Sequence, residues 1–379
     1  MSNKFTLIIP TRERCDTLQK TLTVVTKSQY ENLTILVSDN FSQDRTRDVV
    51  MSFNDKRITY FNTGKRLSMS ANYNFALSKV SEGWVSVIGD DDGFIPTAIS
   101  EMMSLADYYM VDAVSCNYAD FFWAGVEDNK SGLLYIPENE PNIILNSNNE
   151  LQKVLSGNPS RINFPYYLPC LYHGGAVKIE VVNKITEKCG KFILSPIPDV
   201  YSSVVLSKIV GNYLRIGKPI FCSGNSKHST GVSQFRLYSN TKQASPYMNF
   251  LLENDLEMLE EYPFTKSELT IVYEAFMKSK NLDSDLIIPN YESQLSNIIK
   301  LSGKNILKVL IEMLLIMRYD NNYYLEANLK GLLNWFNYNT KKKLKKVFYS
   351  NVKKVRSESL IDIVDAINSL DKILVDSKT

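Results

Sequence analysis

Short apolar runs alternate with longer amphipathic stretches through the first third of the chain. The runs Phe5–Ile9, Leu33–Ser38, Arg57–Phe61, Trp84–Ile88 and Ala113–Tyr118 have strand length and β-branched content. Between them, Asp16–Ser28, Asp44–Phe53, Ser70–Val80 and Ile99–Tyr109 place apolar residues at helical spacing, with Asp16 as a candidate N-cap. Strand and helix in alternation predict a parallel sheet covered by helices on both faces. Residues 124–165 are rich in Asn, Ser, Pro and Gly and read as surface loops with short helical pieces. Tyr166–Gly175 leads to a helix over Glu180–Lys188, a second helix starts at Val200 after Pro198-Asp199, and a strand covers Leu214–Phe221.

From about Gln243 the period changes. Helical patterns follow one another over Met248–Glu261, Ser267–Ser279, Glu292–Leu301, Ile306–Arg318, Leu325–Phe336 and Glu358–Ile373. The expectation is an α/β domain over 1–240 and an all-helical domain over 241–379, with roles in acceptor binding, membrane-surface contact or oligomerisation.

Composition narrows the class. A chain of 379 residues with a net charge of +2 has length for two domains and too little charge to argue for nucleic-acid binding. The five cysteines are scattered without CxxC spacing, which favours reduced thiols in a cytoplasmic protein. The N-terminus runs directly into the first strand, so no signal peptide is expected. Ile306–Met317 is too short and too charged to span a bilayer. No GxGxxG or GxxxxGK[ST] loop follows a strand, which argues against a dinucleotide dehydrogenase and a P-loop NTPase.

The chemistry concentrates at strand ends. Asp90-Asp91-Asp92 follows the run Trp84–Ile88, at the carboxyl edge where open α/β sheets bind ligands. Three adjacent carboxylates suit a divalent ion bridging a diphosphate; an acidic turn facing water is the alternative. The first strand ends in Pro10-Thr11-Arg12-Glu13-Arg14 and the second in Ser38-Asp39-Asn40. Lys65-Arg66 precedes Ser70-Ala71-Asn72-Tyr73-Asn74, where basic groups and a helix N-terminus are available to anions.

Taken in order, Ile8–Arg12, Val37–Ser42 with Asp44, Ser70–Asn74 and Val87–Asp92 resemble the family 2 glycosyltransferases with the GT-A fold, especially bacterial enzymes of surface-polysaccharide synthesis. The resemblance covers residues 4–120 strongly, weakens toward 235 and does not reach the tail. It implies a Rossmann-like α/β fold and an inverting transfer from a nucleotide sugar, a UDP-sugar by preference, to an oligosaccharide or lipid-linked acceptor in O-antigen or capsule synthesis. By the same resemblance, Thr11, Glu13 and Asp39, with Pro10 and Arg12 in the same segment, hold base and ribose; Arg66 and Asn72 lie near the diphosphate or base. The family's DxD motif falls on the triplet. Asp92 is then the first choice as ligand of Mn²⁺ or Mg²⁺, with Asp90 or Asp91 on the donor's ribose or sugar. The register is ambiguous by one residue, because Gly89 stands where many relatives have the first aspartate.

An inverting transfer needs a carboxylate to take the acceptor's proton. Asp199 is the candidate, and it also suits an N-cap for the helix beginning at Val200. His228, in a polar loop after a strand, is either an additional metal ligand or a surface residue. His173 and Gly174 are candidates for the acceptor pocket, with a structural hydrogen bond as the alternative for His173. Gln234-Phe235-Arg236 departs from the family's processive Gln-x-x-Arg-Trp motif, so one sugar per encounter is expected. The basic stretch 341–356 either rests on an anionic membrane surface or covers the core as a solvated helix. Two rival functions stand beside this reading: a sugar nucleotidyltransferase, and a non-catalytic GT-A-like scaffold.

Overall fold

The computed structural model describes residues 3–126, 131–155, 167–229, 268–282, 352–356 and 359–376. The elements in chain order are β1 (Phe5–Thr11), α1 (Cys15–Val25), β2 (Leu33–Asp39), α2 (Thr46–Ser52), β3 (Ile58–Asn62), α3 (Met69–Leu77), β4 (Trp84–Val87), β5 (Gly93–Phe94), α4 (Ala98–Tyr109) and β6 (Ala113–Phe122). There follow β7 (Leu133–Pro137), β8 (Ile143–Asn146), α5 (Ser147–Leu155), β9 (Ala176–Lys178), α6 (Ile179–Cys189), α7 (Pro198–Ile209) and β10 (Asn212–Asn225). Three elements come from the tail: α8 (Glu268–Ser279), β11 (Val352–Arg356) and α9 (Ile363–Asp376).

The strands form one sheet whose main path is β11-β7-β6-β9-β4-β1-β2-β3, with β10 joined to β5, β6 and β8. The sheet is parallel from β4 through β1 and β2 to β3, as the alternation of the first hundred residues predicts. Beyond β4 it is mixed: β9 and β7 enter antiparallel, while β10 runs parallel to β6. The α/β class is as expected.

The period-two pattern explains the two cores. On β1, Leu7 and Ile9 face the core under α1 and α4, whereas Ile8 faces the opposite core under α3, α6 and α7. Parallel strands covered on both faces need nearly continuous apolar sequence, which is why β1 and β2 read as runs and not as alternations.

Several local expectations change. Helix α1 starts at Cys15, and Asp16 sits in its first turn without capping; the Cys15 amide donates to Asp44 Oδ2 at 3.0 Å. Within 124–165, β7 and β8 are strands, because Leu134 and Ile136 alternate inward and β7 finds a partner in β6. The partner of β8 is β10, more than sixty residues further along, and leaves no local signal.

The tail contributes to the central sheet. Strand β11 pairs antiparallel with β7, so Lys353 and Lys354 lie on a strand and not on a helix. Helix α9 buries Ile363, Ala366, Ile367, Leu370 and Leu374 in the same core as Leu18, Leu22 and Phe94. At about 2 kcal/mol for each large apolar side chain, as an upper estimate, that face alone is a strong attachment. The expected helices over Ser267–Ser279 and Glu358–Ile373 correspond to α8 and α9. The proposed boundary near residue 240, the remaining expected helices, Gln234–Arg236 and Lys341–Lys346 lie outside the described residues.

Candidate active site at the carboxyl end of the parallel strands

The ends of β1, β2 and β4 come together because their parallel register is unshifted: Thr11 lies beside Asp39, and Ile8 beside Val87. The backbone then turns sharply, and Asp90, Asp91 and Asp92 are all buried, with 2%, 5% and 2% exposure. An acidic turn facing water is excluded by those values.

Each carboxylate has a different anchor. Asp90 accepts from Thr11 Oγ1 at 2.7 Å and from Arg14 Nη1 at 3.1 Å. Arg14 also donates to the His228 carbonyl, which ties the loop after β10 to the triplet. Asp91 Oδ2 accepts from the Ser226 amide at 3.3 Å. Asp92 accepts from two backbone amides, Gly89 on Oδ2 and Gly224 on Oδ1, both at 2.7 Å. The close passage of β10 requires Gly224, since a Cβ there would collide with the Asp91 carbonyl.

The electrostatics follow. Burial, and then the neighbouring Asp90, push the Asp91 carboxyl up to about 6 against the pull of Arg14 and Ser226. Burial and Asp91 raise Asp92 well above the usual carboxylate range. Burial alone would lower the Arg14 guanidinium; Asp90 and Asp91 outweigh it and hold it raised. One arginine therefore compensates three carboxylates incompletely, and protons or a further cation can make up the difference.

Gly89 lets oxygen donors gather at the turn. A Cβ at Gly89 would lie 3.0 Å from each of Asp91 Oδ1, Asp92 Oδ2 and Tyr172 Oη, tighter than a side chain is normally packed. The absence of a side chain lets these three oxygens, donors of the kind that hard divalent ions take, crowd the backbone there. Among the described residues no three His, Cys, Asp or Glu side chains converge as a ready-made metal set. His228 presents its carbonyl to Arg14, and its side chain is exposed.

Asp199 faces the same region. It is half-buried in the first turn of α7, whose N-cap is Ile197 and whose first residue is Pro198. The N-cap reading of Asp199 is thus corrected: the helix begins earlier than its apolar pattern suggests, as proline at the first position favours. Burial, then Asp199, Asp92 and Asp90, push the Tyr73 phenol up. Burial, Asp92, Tyr73, Asp91 and Asp199 do the same for Tyr172. Both phenols are within electrostatic reach of the triplet and of Asp199.

The remaining candidates divide. The Asp39 carboxylate is 1% exposed and accepts from Ser42 N at 2.9 Å, Tyr60 Oη at 2.5 Å and Asn62 Nδ2 at 3.0 Å. Pro10 lies beside Ser38 in the β1–β2 register, and Arg12 beyond Thr11 is half-buried. Glu13 braces the loop after β2, accepting from the amides of Gln43 and Asp44 at 2.9 and 3.1 Å. Asn72 accepts from Ser38 Oγ at 2.8 Å and so locks α3 to β2. Arg66 is exposed on the loop that Asn40 pins through Leu67.

His173 is packed against Tyr172, Tyr118 and Phe221, with ring centroids 4.4, 5.2 and 5.9 Å away, and burial pushes its imidazole down to about 3. Gly174, at φ +79°, leaves no room for a Cβ, which would sit 2.5 Å from Cys116 Sγ. Packing is the visible work of both residues. Arg14, Tyr73 and Tyr172 are the site residues that sequence reasoning passed over. Arg14 and Tyr73 stand inside or beside the motif segments, whereas Tyr172 has no local signal.

Comparison with known proteins matches residues 6–162 to the family described as "Glycosyl transferase family 2". Over this segment the chain is similar to the family 2 glycosyltransferases. A curated relative, "GalNAc(5)-diNAcBac-PP-undecaprenol beta-1,3-glucosyltransferase" of Campylobacter jejuni subsp. jejuni serotype O:2, is 33% identical over 107 residues. That alignment takes in 27% of this chain and 35% of the relative, so the chain spans about a third of that enzyme's length. S. aureus TarS 1-349 in complex with UDP-GlcNAc aligns over 90% of this chain and 92% of its own, at a TM-score of 0.46 and 11% identity. The mannosyltransferase PcManGT from Pyrobaculum calidifontis, in complex with GDP-Man and Mn²⁺, aligns over 90% and 88%, at a TM-score of 0.41 and 14% identity.

Proposed function

We propose that the protein is a metal-dependent, inverting glycosyltransferase that moves one sugar per encounter from a nucleotide sugar, a UDP-sugar by preference, to a glycan acceptor. The observation that carries this reading is the buried triplet Asp90–Asp92 at the strand ends, paired with Arg14, in a segment similar to family 2, with Tyr172 and Asp199 in electrostatic reach.

Asp91 and Asp92 with the Tyr172 hydroxyl would hold Mn²⁺ or Mg²⁺, which neutralises charge on the departing nucleoside diphosphate. The sequence favoured Asp92 and His228 as ligands; the amide bonds on Asp92 make Asp91 the better first ligand, and His228 serves through its backbone. Asp90, fixed by Thr11 and Arg14, would face the donor's ribose or sugar. Pro10, Thr11, Arg12 and Asp39 would line the nucleoside pocket, with Glu13 and Asn72 keeping its walls in place and Arg66 reaching the diphosphate. Asp199 accepts the proton of the acceptor hydroxyl as that oxygen bonds to the anomeric carbon. The bond from that carbon to the diphosphate oxygen breaks on the opposite face, with inversion.

The Campylobacter relative is named for an acceptor linked to PP-undecaprenol, which supports a lipid-linked glycan and surface-polysaccharide synthesis here. No helix among the described residues is long and apolar enough to cross a membrane. A cytoplasmic protein that meets its acceptor at the membrane surface, through the basic segment 341–356, fits that reading. The test is a hydrolysis screen of UDP- and GDP-sugars with Mn²⁺ or Mg²⁺. A UDP-sugar should be turned over by the wild type and not by Asp91→Asn. Turnover that survives EDTA would overturn the metal, and preference for a GDP-sugar would overturn the base assignment.

A further inference from the structure

The segment 192–197, which delivers Asp199 to the site, is held by two elements far from it in sequence. On one side Asn74 of α3 makes a reciprocal pair with Ile193: its Nδ2 donates to the Ile193 carbonyl at 2.7 Å, and its Oδ1 accepts from the Ile193 amide at 2.9 Å. The other hold comes from the tail helix α8. Glu274, fully buried, accepts from Ser195 Oγ on Oε2 at 2.8 Å and pairs with Lys278 on Oε1 at 3.0 Å. Lys278 in turn donates to the Leu194 carbonyl at 2.6 Å. Three successive residues, Ile193, Leu194 and Ser195, are thus bonded to α3 or α8 just before the helix that carries Asp199.

A buried ion pair is a poor device for stability. Removing two charges from water costs several kcal/mol, and apolar residues of similar volume serve the fold as well or better. What the pair does supply is direction, since each polar atom must meet one partner at one distance. Here those partners belong to the strap leading to Asp199. The neighbours of Glu274 on α8 are ordinary packing: Ala275 joins the core of α7, and Phe276 packs with Leu151, Leu168 and Val204.

We propose that Glu274, together with Lys278, is a positioning residue for Asp199, so that the tail helix α8 is part of the catalytic apparatus. This rests on the reading of Asp199 as the base. It gives the region after the segment similar to family 2 a task in the reaction itself.

The decisive variant is Glu274→Leu with Lys278→Met, which replaces the pair by apolar side chains of similar volume. Three quantities are read: amide hydrogen exchange over 192–199, kcat for the nucleotide sugar turned over in the hydrolysis screen, and UDP affinity by calorimetry. Exchange over 192–199 should accelerate at least about tenfold, because the local anchors are gone. The value of kcat should fall about tenfold to a hundredfold, the size of effect expected when a catalytic group is displaced by roughly an ångström. UDP affinity should stay within about twofold, since no donor contact is touched. Introduced into Asp199→Asn, the same pair of changes should lower kcat by less than about twofold, because the group it positions is already disabled.

Unchanged exchange over 192–199, or an equal loss of kcat in both backgrounds, would overturn the proposal. A fully active Asp199→Asn would instead sink the base assignment, while the exchange result still judges the clamp. Should the double variant not fold, Ser195→Ala cuts the hydroxyl link alone and should show the same pattern more weakly. Ser195→Thr, which keeps the hydroxyl, should remain near wild type; a loss there as large as in Ser195→Ala would count against the clamp.

Discussion

The proposed donor edge and the proposed base edge of the site are built by different means. The donor edge is made at the ends of β1, β2 and β4, where neighbouring parallel strands and the turns directly after them bring Thr11, Asp39 and Asp90–Asp92 together. Its anchors are Thr11 and Arg14 from the first strand end, with the amides of Gly224 and Ser226 and the Trp123 indole from later in the chain. On the base edge Asp199 is carried by the first turn of helix α7 and not by a strand end. Its position depends on a strap bonded to α3 and to α8, elements separated by almost two hundred residues. A site can thus have one wall that its own fold supplies and another that waits for the tail.

The largest expected effect is at the base edge. Asp199→Asn should lower kcat by about 10²- to 10⁴-fold, the usual weight of a general base, with UDP affinity unchanged. A variant of full activity would mean that the two edges do not share a reaction. On the donor edge, Arg14→Met leaves Asp90 buried without its cation and should destabilise the fold by roughly 2–4 kcal/mol, measured by denaturant unfolding at pH 7. Lowering the pH to about 5, where Asp91 takes up a proton because burial and Asp90 hold its carboxyl up at about 6, should recover part of that loss. No recovery would show that Arg14 is not there for charge.

His173 lies between the edges and sharpens the comparison through pH. Its imidazole is held neutral down to about 3, whereas in the unfolded chain it gains a proton below about 6.5. The unfolded state then binds the extra proton, so this stability is present above about 6.5 and declines as pH falls toward 3. Between pH 7 and 5 the wild type should lose up to about 2 kcal/mol relative to His173→Asn, a residue that tolerates the φ of 49° there. Parallel losses in the two proteins would remove His173 as the cause. The smallest effect belongs to the tail strand: Lys354→Ala on β11 should shift stability by no more than about 0.5 kcal/mol, because that side chain is exposed. A larger change would mean that β11 holds the sheet through its lysines and not through its backbone pairing with β7.

The donor edge was legible for a physical reason. Strands buried on both faces write themselves as apolar runs, and the residues just past their ends are contiguous in sequence, so Thr11, Asp39 and the triplet stand out in the amino-acid string alone. What could not be read was the assignment within the triplet. Asp90, Asp91 and Asp92 are alike as letters and differ in their partners: Arg14 for one, the Ser226 amide for another, two glycine amides for the third. Asp199 was singled out as base or cap, and its cap role failed, because the helix begins at Pro198 with Ile197 as its N-cap.

The sequence by itself determined the α/β class, the order of the early strands and the acidic turn, since these depend on local periodicity and on residues adjacent along the chain. The tertiary structure alone decided which oxygens converge on Gly89, that β11 joins the sheet, and that Glu274 reaches the strap before Asp199. Those outcomes join residues whose separation in the chain carries no pattern, and only burial, charge compensation and hydrogen-bond geometry select them.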